Sequence, residues 1–289
     1  MAKQLADKPI EVADLSEYLK SEDDFAFELE ILRYCLAGAG FKVEHGGSYR
    51  DPVTRKDRQF DIRLMAQKER SVVKLAIECK NLKSNFPLLV SRIPRRSEEN
   101  VHDIVISLRS SPGNPLVGKA VRKITATGTG VIFEAKKFVG KSTAQVGRSK
   151  AGEIVTGDSE IYEKWSQALG SAFDLVASSA RDYTIVNDNA AATVIFPVLV
   201  IPDGTLWTID YTEDGNQLGD PRQSKECEIF LGKRIDADIL DYTASHLLIF
   251  TKTEFNSYLD RLATNDKYWE RLFPSPVLEQ LPRERAGKS

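Results

Sequence analysis

The chain has 289 residues, of which 42% are hydrophobic and 28% charged, and its formal net charge is −2. That composition fits a globular protein with a sizeable core, and no apolar run approaches the ~20 residues of a membrane-spanning helix. The first residues lack the apolar centre of a signal peptide, three scattered cysteines exclude a disulfide framework, and three histidines in unrelated contexts argue against a His-based zinc site. Reduced thiols and a cytoplasmic location are the expectation.

Residues 1–22 form a polar lead-in with a short helix near Ile10–Leu19. Ser21 or Asp23 offers an N-cap for a helix over about 24–38, where Phe25, Leu29, Leu32, Cys35 and Leu36 recur at helical spacing. Gly38 and Gly40 end it, a strand starts at Phe41, and Gly46-Gly47 turns it. Residues 48–57 read as a polar loop. Gln59–Leu64 and Leu75–Lys80 then read as two strands in which apolar and polar residues alternate.

Residues 82–158 are irregular, broken by Pro87, Pro94, Pro112 and Pro115, with strand-like runs at Val101–Leu108 and Gly130–Phe138. Asp158 or Ser159 caps a helix to about Ser178, with Ile161, Trp165, Ala168, Leu169, Ala172 and Leu175 as its inner stripe. Ala192–Ile201 is nearly all apolar, the pattern of a strand covered on both faces. Pro202-Asp203-Gly204-Thr205 turns toward Leu206–Tyr211, read as its hairpin partner. Residues 212–226 read as a polar loop, followed by a strand at His246–Thr251, a helix at about Thr253–Ala263 and a polar tail from Pro274. The expected class is α/β, a mixed sheet flanked by helices.

Charge is unevenly placed. Residues 81–150 carry 13 Lys and Arg against 4 Asp and Glu, so one basic segment sits in an otherwise acidic chain. A local basic surface suits a phosphate backbone, and an ordinary solvated face is the plainer alternative. Arg92, Arg95, Arg96, Lys119, Arg122, Lys123, Lys136, Lys137 and Lys141 are the candidate phosphate contacts, with Arg148 and Lys150 beyond them.

The chemistry concentrates in the two adjacent strands. Glu78 and Lys80 share a face, and Asp61 opposes them if the strands form a hairpin. Two carboxylates can hold a divalent ion such as Mg²⁺, or Mn²⁺ in its place, and the Cys79 carbonyl can add a third oxygen. A neighbouring ammonium can orient a water and offset phosphate charge. A second E-x-K occurs at Glu134-Ala135-Lys136, with Asp103 upstream, but a Pro/Gly-rich loop separates its halves.

Asp61, sixteen intervening residues, then Glu78-Cys79-Lys80 resembles the PD-(D/E)xK superfamily of restriction-endonuclease-like nucleases. Phe27-Glu28 leading to Gly40-Phe41 matches the superfamily's first helix with its acid, although Phe60 stands where the motif has Pro. The resemblance implies an αβββαβ core over residues 23–82 and 158–210, with 83–157 as a basic insertion contacting DNA and 211–289 as a C-terminal extension. It implies a Mg²⁺-dependent endodeoxyribonuclease in which Asp61 and Glu78 hold the metal, Lys80 positions water, Glu28 assists and Gln167 is an accessory. Glu30 is the alternative helix acid. It further implies DNA as partner, a homodimer for double-strand cutting, a partner subunit for targeting or ATP-dependent activity, and a setting in restriction or antiphage defence. An RNase and an inactive nucleic-acid-binding module are the other readings.

Overall fold

A computed structural model describes residues 8–21, 23–51, 54–108, 120–128, 130–157, 159–181, 190–237, 240–279 and 281. Helices α1 (Val12–Ser21) and α2 (Phe25–Ala37) come first, followed by strands β1 (Lys42–His45), β2 (Ser48–Arg50), β3 (Asp57–Gln59), β4 (Ile62–Lys68) and β5 (Ser71–Cys79). The middle of the chain supplies β6 (Leu88–Pro94), β7 (Val101–Leu108), β8 (Ala120–Thr127), β9 (Phe138–Arg148) and β10 (Ile154–Gly157). Helix α3 (Ser159–Arg181) leads to β11 (Ala190–Ile201), β12 (Leu206–Tyr211), β13 (Gln217–Gln223), β14 (Glu226–Ala237) and β15 (Leu240–Thr251). Helices α4 (Lys252–Thr264), α5 (Asp266–Leu272) and α6 (Ser275–Leu278) follow. Among the described residues, no helix is long and apolar enough to cross a membrane.

Thirteen strands join one mixed sheet whose main path is β1-β4-β5-β11-β15-β14-β9-β6-β12-β13. Strand β10 pairs with β9, β7 lies between β11 and β8, and β2 with β3 makes a separate ribbon. β1, β4 and β5 run antiparallel in turn, whereas β11 is parallel to both β5 and β15. The carboxyl ends of β5, β11 and β15 therefore lie along one rim of the sheet.

Every residue of β5 is buried, because strands flank it and helices cover both its faces. Leu75, Ile77 and Cys79 point to the side where Phe27, Ile31 and Cys35 of α2 and Phe255 and Leu259 of α4 pack. Ala76 points to the side covered by Ala172, Phe173 and Val176 of α3. Each fully buried Leu or Ile contributes about 1.5–3 kcal/mol, so the apolar side chains of β4 and β5 are a large share of the core. The three cysteines are free and buried.

The α2 helix begins at Phe25 with Asp24 in the cap position, not Ser21 or Asp23, and the Asp24 side chain makes no cap hydrogen bond. The turn after it needs glycine, since a Cβ on Gly38 would stand 2.3 Å from the Phe41 ring. The expected loop over 48–57 contains the β2–β3 ribbon, whose Tyr49 is buried. The expected strand over 130–138 is instead a series of turns and bends that place Val131 and Phe133 in the core, and β9 starts only at Phe138. Apolar content there serves a buried turn, not a period-two strand.

β12 is not the hairpin partner of β11. It pairs parallel with β6 and antiparallel with β13, because the Pro202–Thr205 turn swings it away from the β11 edge already taken by β15. Part of the 212–226 loop is strand β13, exposed throughout. β14 had no counterpart in the sequence reading. The segment 83–157 adds β6 to β10 to the common sheet.

The two halves of the main sheet path meet where β14 pairs with β9 through one register pair, Ile229 with Gly140. A Cβ on Gly140 would lie 2.7 Å from Val90 Cγ1, 2.9 Å from Ile229 Cγ1 and 3.2 Å from the Glu228 carbonyl. Gly140→Ala is expected to destabilise the fold by about 1–3 kcal/mol, as overpacking does. Thermal and urea melts check this, and an unchanged midpoint would mean that the junction yields freely.

Candidate functional site

The site forms at the carboxyl end of β5. Ile62 pairs with Ile77, so Asp61, just before β4, comes level with Glu78. Asp61 Oδ2 accepts a hydrogen bond from the Cys79 backbone N–H at 2.8 Å. Glu78 sits on the same face and is 0% exposed.

Helix α3 supplies the counter-charge. Lys164 Nζ donates to Asp61 Oδ2 at 3.3 Å and lies 3.5 Å from Glu78 Oε2. Further along the helix, Arg63 Nε donates to Ser171 Oγ at 3.0 Å, and its Nη2 pairs with Asp174 Oδ2 at 2.9 Å. Lys164, Ser171 and Asp174 fall at i, i+7 and i+10, one face of an α-helix. Asp61 and Arg63 fall at i and i+2, one face of a strand. The sheet and helix periods thus meet in two polar contacts, with Arg63 stacked 4.1 Å from the Phe60 ring centre between them.

Helix α2 closes the other side. Lys80 Nζ donates to Asp24 Oδ2 at 3.1 Å, and the Asn81 backbone N–H donates to Asp24 Oδ1 at 2.8 Å. One turn on, Glu28 Oε1 and His45 Nε2 are 2.7 Å apart. Glu30 points elsewhere, toward Lys252 Nζ of α4 at 3.0 Å. Of the two candidate helix acids, Glu28 is the one whose charge acts on Asp61.

Four carboxylates (Asp24, Glu28, Asp61 and Glu78) face two ammonium groups, Lys80 and Lys164. Burial pushes the Glu78 carboxyl well above its ordinary range and the Asp61 charge adds to this, while Lys164 opposes it. Burial and Asp61 also raise Glu28, against the pull of His45. Burial by itself would lower Lys164, but Asp61 and Glu78 reverse that and raise it. Glu78 Oε1 is buried without a hydrogen-bond partner. An unsatisfied buried acceptor costs about 1–3 kcal/mol, more when charged, so this oxygen is a standing demand for a proton or a cation.

Several expected residues lie elsewhere or are already engaged. Gln167 enters through its backbone carbonyl, which accepts from Tyr49 Oη at 3.1 Å. The helix residue at the carboxylates is Lys164, three positions earlier. Lys164 and Asp24 were missed; the first flanks the apolar stripe of α3, and the second reads locally as a capping residue. The second E-x-K does not assemble. Glu134 pairs with Lys137 and Arg271, whereas Asp103 is tied to Thr125, Thr243 and Lys123.

Among the candidate phosphate contacts, Arg92 is clamped by Asp210 at 2.7 and 3.1 Å. Arg95 is buried against Glu228 and the Glu134 carbonyl, so it does not reach a backbone phosphate. Lys123, Lys137 and Lys141 pair with Asp103, Glu134 and Glu99. Arg96, Arg122 and Lys136 are exposed, and Lys119 lies outside the described residues.

Among the described residues, no group of three or more His, Cys, Asp or Glu side chains is arranged to hold a metal ion. Asp61 and Glu78 are a pair of hard oxygen donors, and Cys79 adds main-chain atoms between them and Lys80. No family model, curated protein or solved structure matches the chain.

The Glu78 environment fixes a pH dependence. A carboxyl raised by folding binds its proton more tightly in the folded state. Its contribution to stability is full below the unfolded carboxylate value and is lost as pH rises through the higher folded value. The Glu78 contribution to wild-type stability is therefore expected to fall as pH rises above about 4.5, the ordinary Glu value. Glu78→Gln should flatten that slope. Thermal melts of both proteins between pH 4 and 9 test this, and parallel curves would refute it.

Proposed function

We propose that this chain is a metal-dependent nuclease that hydrolyses phosphodiester bonds, with DNA as the favoured substrate. One observation carries the reading. Two carboxylates from adjacent strands converge on a single cationic group, Lys164 Nζ, and the more buried one keeps an oxygen without any partner. Such a pair suits a divalent ion that tolerates one or two carboxylates and fills its remaining positions with water and substrate phosphate. The location supports it too, since ligands of open α/β sheets bind outside the carboxyl ends of parallel strands. An αβββαβ order can be picked out as α2, β1, β4, β5, α3 and β11, with β2 and β3 and then β6 to β10 interposed.

Asp61, Glu78 and the Cys79 carbonyl would hold Mg²⁺ or Mn²⁺. The bound ion supplies an acidified water and charge stabilisation at the phosphate. Lys80, half-buried just past β5 and paired with Asp24, would orient that water only after leaving Asp24. Glu28, with its raised affinity for a proton and its contact to His45, is placed to exchange a proton at the rim. Exposed Arg96 and Lys136 are candidates for phosphate contacts. A single site of this kind cuts one strand, so double-strand cutting would call for a homodimer. A partner subunit would supply targeting in restriction or antiphage defence.

Plasmid cleavage with Mg²⁺ tests the assignment. Glu78→Ala and Lys80→Ala should each lower the rate at least about 100-fold, the scale of a lost acid–base or charge-stabilising group. Full activity in either variant would end the assignment. The second reading, a non-catalytic nucleic-acid-binding module, draws on the internal pairing of Lys80 and Lys164 with acids. It predicts DNA binding that Asp61→Ala leaves intact and no Mg²⁺ or Mn²⁺ binding. An RNA panel beside the plasmid separates an RNase from a deoxyribonuclease.

A further inference from the structure

The side chain of Lys164 occupies the one position from which a cation touches both carboxylates. Its Nζ is 3.3 Å from Asp61 Oδ2 and 3.5 Å from Glu78 Oε2, and its side chain is 20% exposed. The 3.5 Å separation from Glu78 is long for a charge-assisted hydrogen bond, which is usually 2.7–2.9 Å. Lys164 therefore shares its charge between the two acids without saturating either. Glu78 Oε1 makes no hydrogen bond in a residue that is 0% exposed, although the Glu78 side chain also meets the Asp61 carboxyl. By contrast, the ammonium of Lys80 is committed to Asp24 on the far side of the cluster.

We propose that Lys164 is a built-in counter-cation that holds the Asp61–Glu78 pair in the metal-free protein and must withdraw before a divalent ion enters. This rests on the metal-dependent reading of the site. The physical reason is direct. A divalent ion held by Asp61 and Glu78 would compete with the ammonium for their lone pairs, and the two cations would repel strongly in a partly buried site. The second turn of α3 gives Lys164 a long, flexible stem and a route outward, since neighbouring Tyr162 and Glu163 are exposed. On withdrawal, the ammonium is free to face an incoming phosphate. Metal entry and substrate entry become coupled through one side chain, because each favours the withdrawn position.

The test measures Mn²⁺ binding to the full-length chain without nucleic acid, by the EPR signal of free Mn²⁺ and by the thermal shift that Mn²⁺ produces. Wild type is compared with Lys164→Met and Lys164→Gln. The proposal expects at least about tenfold tighter Mn²⁺ binding in both variants, and a correspondingly larger rise in melting temperature with Mn²⁺ than wild type shows. Lys164→Gln keeps a hydrogen-bond donor to the carboxylates and serves if Lys164→Met does not fold. A wild type that binds Mn²⁺ with variants that bind equally or more weakly would overturn the counter-cation role and leave the metal site standing. Mn²⁺ binding in none of the three folded proteins would overturn both.

Discussion

The interior position of Glu78 is the constraint on which the site depends. Its strand is sealed by neighbours on both sides and by helices on both faces. A carboxylate in such a place either binds a proton or requires compensating charge. Asp61 beside it sharpens the problem. The surrounding polar architecture answers that demand in part: Lys164 leans in from α3, the Cys79 amide fixes Asp61, and Lys80 is steered to Asp24. One Glu78 oxygen is still left over.

Sheet topology decides where that demand is expressed. Because β11 runs parallel to both β5 and β15, three strands end at one rim. Helix α2 begins on one side of that rim and α3 passes the other, so residues from both helices reach the same acids. Arg63, stacked on Phe60 and paired with Ser171 and Asp174, fixes α3 against β4 further from the rim. The position of Lys164 is thus set by packing well beyond its own contacts.

The basic segment teaches a different lesson. Its charge excess is real along the chain, yet Arg92, Arg95, Lys123, Lys137 and Lys141 all meet carboxylates in the folded molecule. Two of the acids, Asp210 and Glu228, come from the later, acidic part of the chain. Folding brings them back to the basic strands and cancels much of the field that a linear count implies. The basic side chains still exposed include Arg96, Lys136, Arg148 and Lys150, together with Lys137 beside Glu134.

The sequence by itself determined what short-range periodicity encodes. Helical spacing places α2 but marks the wrong face, since Phe25, Leu29 and Leu36 are exposed and Phe27, Ile31 and Cys35 are buried. The strand read at Gln59–Leu64 is instead β4 at Ile62–Lys68, while β5 and the covered strand at 192–201 stand close to where their patterns put them. The relation of Asp61 to Glu78 was legible because a hairpin joins residues seventeen apart through a local turn. Only the tertiary structure decided that Lys164 sits between them, across 103 positions, and that Asp210 claims Arg92 across 118. It alone decided that β12 joins β6, not β11, and that the small residues of β9 allow a close approach at Gly140. The physical reason is common to these cases. A period tells which kind of element forms, but the face that is buried and the partner it meets are set by which elements pack together, and that depends on the whole sheet.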